Sequence, residues 1–302
     1  MRAVPEPDVA SKLGSLRGVL SPMEGAVVAF SGGADSALVA VMAARAMGSR
    51  ALAVTGVSPS LPPGELAGAR SFAERLGLRH RSVRTDELER EGYLENGPDR
   101  CYHCKSELYE VLRAVARDEG LAEVLSGANL DDLADYRPGL QAAAERGVRH
   151  PLVEAGFSKI DVREASRVLG LPTWNKPASA CLSSRIPHGV RITVEELSRV
   201  GRAERALKEL GFAQVRVRVH GDVARVEVEP QDVPRLAAEP VRSRIVEALR
   251  GLGFRFVTLD LEGFRSGSLN PQAGTRESGR EHDAAGTRES GRGRDGAEGP
   301  SA

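Results

Sequence analysis

The sequence predicts an α/β protein built on a doubly wound parallel sheet, followed by a second, smaller α+β domain. Three observations lead to this fold class. The glycine-rich segment SGGADS, at 31–36, lies between a short apolar run and an apolar stretch with helical periodicity. Apolar runs and helical stretches then alternate to about residue 180, a spacing typical of parallel sheets with helices on both faces. After about Pro187 a helix is followed by two strands of alternating polarity.

The first domain is predicted at 1–180, with its first strand at 27–30 and its first helix beginning at Ala37. Ligands of such sheets bind at the carboxyl ends of the strands, so SGGADS, TGVSPS and GANLDDLADYRPG are expected along one rim. The later elements are predicted as a strand at 51–57, a helix at 63–78, a strand at 80–85, a helix at 105–118 and a strand at 122–129.

The second domain is predicted at 187–265. Arg216 and Arg218 are two residues apart on one strand, so they share a face, and Glu227 lies on the partner strand. The tail at 266–302 is predicted to be disordered, because it has no apolar periodicity and carries AGTRESGR twice. The predicted elements of the domain are a helix at 193–210, strands at 213–220 and 223–230 joined by a Gly-Asp turn, a helix at 240–252 and a strand at 254–261.

Composition limits the classes of function. The 302 residues are 41% hydrophobic, enough for two cores, and 42 Lys and Arg balance 42 Asp and Glu. A net charge of zero predicts no nucleic-acid partner. No apolar run reaches the ~20 residues of a membrane span, and the N-terminus lacks a secretory apolar core, so we expect no membrane association and a cytoplasmic location.

The SGGADS segment has the composition of a pyrophosphate-binding loop. Gly32 and Gly33 let the backbone bend and bring its N–H groups close to an anion, and the following helix adds unpaired donors. Ser31 and Ser36 can add hydroxyl donors, and Asp35 is interpreted as a helix-start or magnesium residue. The segment lacks the Lys of a Walker loop and resembles the loop of N-type ATP pyrophosphatases. The alternative is an ordinary Ser/Gly turn before a helix.

The chain has three cysteines, an odd number that argues against a disulfide framework. Cys101 and Cys104 are spaced to bind one metal directly before a predicted helix, and Cys181 lies far away in ACLSSR. Three thiolates would leave one coordination position open, which His103 or an external ligand could fill. A zinc site, a redox pair and three unrelated buried residues remain alternatives.

Five motifs occur along the chain in this order: SGGADS, RCYHCK, GANLDDLADYRPG, KPASACLSSRIPHG and VRVRVHGDVARVEV. With these motifs in this order, the chain closely resembles the LarE family of ATP-dependent sulfur transferases over about residues 10 to 265. The resemblance implies an adenine-nucleotide alpha hydrolase-like (PP-loop) domain that binds ATP and Mg²⁺. It implies that the carboxylates of pyridinium-3,5-biscarboxylic acid mononucleotide are adenylated and converted to thiocarboxylates for a nickel-pincer cofactor. It also implies a homo-oligomer, possibly a hexamer, while the sulfide donor stays unknown.

Two sulfur sources occur among proteins that the chain resembles. In one branch a cysteine matching Cys181 surrenders its own sulfur and becomes dehydroalanine. In the other, cysteines matching Cys101, Cys104 and Cys181 hold a 4Fe-4S cluster whose remaining iron carries a sulfide for transfer. All three cysteines are present here, so the resemblance favours the cluster branch.

Other positions take roles from the resemblance or from their neighbours. Arg216 and Arg218 match arginines that bind the substrate phosphate, with Glu227 at the same site; the alternative is a solvated arginine stripe. Lys176 and Arg185 could stabilise a thiolate or an anionic substrate, or be surface charges. Trp174 and His188 are interpreted as packing and loop residues. Carboxylates and an amide of the GANLDDLADYRPG loop could hold magnesium, shape the substrate pocket or cap the loop: Asn129, Asp131, Asp132 and Asp135.

Two rival functions are considered. A tRNA thiolase of the same superfamily would need a positive RNA-binding surface, which the balanced charge does not predict. A non-catalytic nucleotide-binding regulator would not require three cysteines together with the arginine pair.

Overall fold

The computed structural model describes residues 8–133, 137–177 and 179–265, which lie within one compact unit containing two sheets. Asp135 and the predicted disordered tail at 266–302 lie outside these residues. The strands are β1 (Ala26–Ala29), β2 (Ala51–Val57), β3 (His80–Arg84), β4 (Glu123–Leu125), β5 (Val215–His220), β6 (Val223–Val228) and β7 (Phe256–Leu259). The helices are α1 (Val9–Leu20), α2 (Ala34–Met47), α3 (Glu65–Arg75), α4 (Glu91–Leu94), α5 (Arg100–Asp118), α6 (Leu130–Leu133), α7 (Pro138–Glu145), α8 (Pro151–Glu154), α9 (Lys159–Val168), α10 (Val194–Glu209), α11 (Val233–Ala237) and α12 (Val241–Gly251).

The first sheet is parallel, with strand order β3-β2-β1-β4. Successive residues of a strand point to opposite faces, and both faces are covered. Val28 and Ala53 pack in a core with α1, α2 and α9, whereas Val27 and Leu52 pack in a second core with α5 and α7. The prediction of a doubly wound parallel sheet is therefore confirmed.

The second sheet has strand order β5-β6-β7, with an antiparallel pair β5-β6 and a parallel pair β6-β7. Buried valines of β5 and β6 pack against α10 and α12, which confirms the predicted small α+β domain. Tyr93 of α4 and Leu182 also belong to this core, so residues from before position 187 help to build it. The boundary between 180 and 187 stays a prediction.

Helix α5 begins at Arg100, five residues before its predicted start at 105. Cys101 and Cys104 therefore lie in its first turns, and the expectation that they precede a helix is wrong. From Leu108 onward the apolar face of α5 is buried against the first sheet, whereas Cys104 in its early turns packs against the core of the second sheet. Within the described residues, no helix has the length and apolarity needed to cross a membrane.

Candidate functional site

The SGGADS segment forms a closed loop between β1 and α2. Gly32 has a φ of 72°, a conformation that favours glycine, and Gly33 is the N-cap residue of α2. Oγ of Ser36 lies 3.2 Å from the backbone N of Ser31 and 3.1 Å from its Oγ. The hydroxyls and the first backbone amides of α2 thus meet at one helix end, an arrangement suited to anion binding.

A glycine after β4 supports this loop from the side. A Cβ on Gly127 would lie 2.8 Å from the backbone N of Ser36 and 3.0 Å from the carbonyl carbon of Asp35. The two rim loops therefore make direct backbone contact, which only glycine permits here. We did not assign this role from the sequence; the signal was a Gly inside the strand predicted at 122–129, a position that can mark the close approach of another backbone.

Asp35 occupies the second position of α2 and faces the loop after β4. Its carboxylate accepts a hydrogen bond from Nδ2 of Asn129 at 3.1 Å and pairs with Nζ of Lys159. Lys159 is the first residue of α9, whose start we did not predict, although the Ser158–Asp161 capping box marks it. The structure therefore holds Asp35 between an amide and an ammonium group.

The remaining polar residues after β4 organise their own loop. The backbone N of Asp131 donates to Oδ1 of Asn129 at 3.0 Å, and the backbone N of Asn129 donates to Oδ2 of Asp132 at 3.0 Å. The backbone N of Lys159 donates to the Asp131 carboxylate. This is the capped-loop alternative, and a magnesium role for these groups stays a prediction.

Lys176 contacts the SGGADS loop. Its Nζ lies 3.1 Å from the carbonyl oxygen of Gly32 and 2.8 Å from Oε2 of Glu65 at the start of α3. Lys159 and Lys176 therefore both contact the SGGADS loop, the first at Asp35 and the second at Gly32.

Cys181 stands at the start of a 3₁₀ turn formed by Leu182–Arg185. The backbone N of Leu182 donates to the carbonyl oxygen of Ser60 in TGVSPS at 2.8 Å. Arg185 Nη1 donates to the carbonyl oxygens of Ala180 and Cys181, both at 2.9 Å. The cysteine turn is thereby attached to the rim of the first sheet.

Arg185 is 1% exposed and forms an ion pair with Glu204 of α10, with Nε 2.7 Å from Oε1. The alternative prediction that Arg185 is a surface charge is therefore wrong. Both partners are buried and hydrogen-bonded, which is the condition under which an internal ion pair is tolerated. The pair shapes the turn that carries Cys181.

The three thiols share one electrostatic environment. Burial raises the pKa of Cys104 to about 12; Lys105 acts in the opposite direction, while Glu87, Cys181 and Cys101 add to the rise. No group of three or more His, Cys, Asp or Glu side chains is close enough to hold a metal ion in the described part of the chain. The donor set itself, three thiols beside basic side chains, has the chemistry that an iron-sulfur cluster requires.

The arginines of β5 are buried, so the alternative of a solvated stripe is wrong. Arg218 forms a two-point ion pair with Glu227 at 2.7 and 3.0 Å, and its Nη1 donates to the carbonyl oxygen of Ser184 at 2.8 Å. In the strand register Arg216 stands directly opposite Glu227. The strand face predicted to bind phosphate therefore touches the cysteine turn.

The buried side chains of Arg185, Arg216 and Arg218 form an arginine cluster, whose three positive charges exceed the two negative charges of Glu204 and Glu227. Burial lowers the pKa of Arg216 to about 10, and the charges of Arg185 and Arg218 lower it further against the opposing effect of Glu204 and Glu227. A phosphate placed here would offset the repulsion among the three guanidinium groups.

Comparison with known proteins decides the family. The chain is 41% identical over 263 residues to pyridinium-3,5-bisthiocarboxylic acid mononucleotide synthase of Lactiplantibacillus plantarum, covering 87% of this chain and 95% of that protein. This chain belongs to the LarE family of ATP-dependent sulfur transferases. An uncharacterised protein of Synechocystis is 48% identical over 260 residues, covering 86% of this chain and 97% of its own.

Two further matches place the LarE chain among PP-loop proteins. A family model described as NAD synthase matches residues 16–94, which contain β1, β2 and β3 with the SGGADS loop. The tRNA-specific 2-thiouridylase of Azorhizobium caulinodans is 32% identical over 196 residues, covering 51% of this chain and 49% of that protein. The predicted PP-loop fold is confirmed.

Three other residues of the LarE chain were singled out in the sequence, and their surroundings differ. Nε2 of His103 lies 3.2 Å from Oδ2 of Asp99, and Nδ1 of His188 lies 3.2 Å from the carbonyl oxygen of Asn96. Trp174 is exposed. The contact of His188 agrees with a loop role, whereas the exposure of Trp174 gives no support to a packing role; both roles stay predictions.

Proposed function

We propose that this chain adenylates the carboxylates of pyridinium-3,5-biscarboxylic acid mononucleotide and converts them to thiocarboxylates during nickel-pincer cofactor synthesis. The observation that carries the proposal is the position of the Cys181 turn. It is hydrogen-bonded to Ser60 on the rim that contains the nucleotide loop and to Arg218 of the buried arginine cluster. A nucleotide, a sulfur donor and an anionic substrate can therefore meet at one place. The name of the Lactiplantibacillus relative supports this substrate.

The SGGADS loop would bind the pyrophosphate part of ATP with Mg²⁺. Backbone amides at the start of α2 and the Ser31 and Ser36 hydroxyls would donate to phosphate oxygens. Lys159 and Lys176 would add positive charge, and Asp35 would exchange its contact with Lys159 for one with Mg²⁺. A substrate carboxylate oxygen then forms a bond to the α-phosphorus, and the bond from that phosphorus to pyrophosphate breaks.

The arginine cluster would hold the substrate phosphate. Arg216 and Arg218 lie on the face of β5 that touches the cysteine turn, and Glu227 orients Arg218 by a two-point ion pair. Anchoring the phosphate there would place the pyridinium ring and its carboxylates toward Cys181.

Cys101, Cys104 and Cys181 would hold a 4Fe-4S cluster. When bound, the cluster supplies sulfide at an iron without a protein ligand. Thiocarboxylate formation makes a carbon–sulfur bond at the acyl carbon and breaks the carbon–oxygen bond to AMP, which leaves with the electron pair. Arg185 and Arg218 keep the Cys181 turn in place through backbone carbonyl oxygens.

Anaerobic turnover tests this function. We expect purified protein with MgATP, sulfide and the dicarboxylate substrate to release pyrophosphate and form several thiocarboxylate products per chain, with Cys181 of unchanged mass. Replacing any one of the cysteines by Ala should remove most bound iron and multiple turnover, while pyrophosphate release continues. Conversion of Cys181 to dehydroalanine in step with product would instead establish the sacrificial-cysteine branch and overturn the cluster proposal.

The phosphate assignment has a separate test. Arg216→Ala should weaken binding of nicotinic acid mononucleotide, a stable pyridinium mononucleotide, by at least roughly tenfold, because a charge-assisted hydrogen bond contributes ~1.5 to 3 kcal/mol. Arg225→Ala is the matched control, since Arg225 also pairs with Glu227 but is more exposed. Calorimetry should show unchanged MgATP affinity in both variants. Equal affinity of the Arg216 variant and the parent for the mononucleotide would contradict the assignment.

We also infer that the chain assembles as a homo-oligomer, possibly a hexamer, and acts in the cytoplasm. The family resemblance supports the assembly, and light scattering of the purified protein measures it directly. A monomer at micromolar concentration would contradict the inference.

A further inference from the structure

Arg100 is the first residue of α5 and directly precedes Cys101. Its side chain is buried, with 7% exposed. Its Nη1 donates to Oδ1 of Asn96 at 2.6 Å and to the carbonyl oxygen of Ser183 at 3.1 Å. Ser183 is two residues after Cys181. A single guanidinium nitrogen therefore joins the helix that carries Cys101 to the turn that carries Cys181.

Asn96 extends this connection to the segment after the turn. It is fully buried, and its Nδ2 donates to the carbonyl oxygens of Pro187 at 2.8 Å and Val190 at 3.0 Å. Its backbone oxygen accepts from the N–H of Gly189 at 3.1 Å. We call Asn96 and Arg100 the clasp, because together they hold both sides of the cysteine turn against the start of α5.

The clasp also places a buried positive charge beside the thiols. Within the described ranges, no carboxylate forms an ion pair with Arg100, whereas the similarly buried Arg185 and Arg218 pair with Glu204 and Glu227. A buried charge is costly unless an opposite charge accompanies it. Cys101 directly follows Arg100 and Cys181 lies two residues before Ser183, so these cysteines can supply that charge when they bind a ligand as thiolates.

We propose that Arg100 is a positioning residue for the three-cysteine site, which holds Cys101 and Cys181 in register and places a positive charge between the two segments that carry them. The inference rests on the proposed joint use of the three cysteines, and it does not depend on the identity of the nucleotide substrate. The clasp orients the two sides of the site, and the guanidinium offsets the negative charge that three thiolates bring together.

Arsenite tests the thiol site without iron, and its binding requires the three cysteine side chains to turn toward one another from the positions that they have in the structure. Arsenous acid reacts with three thiols to form three arsenic–sulfur bonds and release three water molecules, with no change of oxidation state. We expect one arsenite per chain in the reduced parent protein and an affinity at least tenfold lower in Arg100→Gln. Arg100→Lys should recover most of the affinity, because an ammonium keeps the charge and can donate to the same two oxygens.

The matched control is Arg113→Gln on the same helix, because Arg113 donates to the backbone oxygens of Arg146 and Gly147 away from the cysteines. It should leave arsenite affinity unchanged. Parental affinity in Arg100→Gln, or equal losses in the Gln and Lys variants, would overturn the proposal. Binding of MgATP is measured in every variant to verify folding.

If Arg100→Gln does not fold, Arg100→Met replaces it. That variant keeps a long unbranched side chain in the buried position but removes the charge and the hydrogen-bond donors, so arsenite affinity should fall by at least tenfold, and unchanged affinity would overturn the proposal. Iron and sulfide analysis after anaerobic reconstitution separates the proposed role of Arg100 from the proposed 4Fe-4S cluster. A parent protein that binds arsenite as expected but no iron would defeat the cluster proposal alone.

Discussion

At the scale of single residues, the nucleotide loop depends on backbone contacts that leave no room for a side chain. A Cβ on Gly127 would meet the backbone of Asp35 and Ser36, whereas a Cβ on Gly68 of α3 would have nothing within 4 Å. A side chain therefore fits at Gly68 but not at Gly127, although the sequence alone does not distinguish the two glycines. The difference lies in their neighbours and not in their own conformational freedom.

We expect Gly127→Ala to weaken MgATP binding by roughly tenfold or more, because overpacking costs ~1 to 3 kcal/mol and here the displaced atoms belong to the phosphate-binding backbone. Titration calorimetry with a non-hydrolysable ATP analogue measures the change. Gly68→Ala, in an open position of a helix, should bind the analogue like the parent and unfold at an equal or higher temperature. Parental affinity in the Gly127 variant would show that the loop is not the nucleotide site.

At the scale of elements, the start of α9 positions Lys159 beside the nucleotide loop. Ser158 and Asp161 form a capping box, and Asp161 also accepts a hydrogen bond from Nζ of Lys12 in α1 at 2.5 Å. Burial acts to raise the pKa of Asp161, but the hydrogen bonds from Lys12 and Ser158 lower it overall. The carboxylate of Asp161 is thus stabilised in its charged form.

A group with a lowered folded pKa stabilises the fold above its unfolded pKa, and this contribution is lost as the pH falls through the folded value. Asp161→Asn should therefore reduce the free energy of unfolding at pH 7, by about 1 kcal/mol on the scale of a lost cap. The difference from the parent should shrink below about pH 4, the ordinary range of Asp. Urea unfolding across pH measures it, with exposed Glu164→Gln as the control. A difference that does not depend on pH would contradict the assignment.

At the scale of the whole molecule, the Arg185–Glu204 pair links the cysteine turn to the second sheet. Glu204 lies on α10, and its Oε1 also accepts from the backbone N of Val217 in β5 at 3.2 Å. The turn is attached to the first sheet through Ser60 and to the second through this pair. The site is therefore assembled from both parts of the molecule.

Glu204→Gln should destabilise the protein by about 3 to 5 kcal/mol, because it leaves the Arg185 guanidinium buried without a counter-charge. Thermal and urea unfolding measure the loss. The matched control is Glu91→Gln, which removes the partner of Arg191 in an exposed ion pair and should change stability little. Equal effects of the two variants would show that the buried pair does not link the two parts.

Local patterns in the amino-acid sequence are sufficient to specify the fold class, the Gly-rich turn between β1 and α2, and the family. These patterns are an apolar strand, a Gly-rich turn with hydroxyls, an amphipathic helix, and alternating valines and arginines. They follow from backbone geometry and side-chain periodicity over a few residues, so they can be recognised without coordinates. The same reasoning placed Arg216, Arg218 and Glu227 on facing strands, which the strand register confirms.

The connections between distant segments became visible only in the folded chain. There α5 begins at Arg100, Lys176 reaches Gly32, and Arg185 and Arg218 hold the Cys181 turn through backbone oxygens. Spacing along the chain does not reveal these contacts, because an arginine has the same local pattern whether it is solvated or buried with a glutamate. Packing and charge compensation between elements determine which of the two occurs.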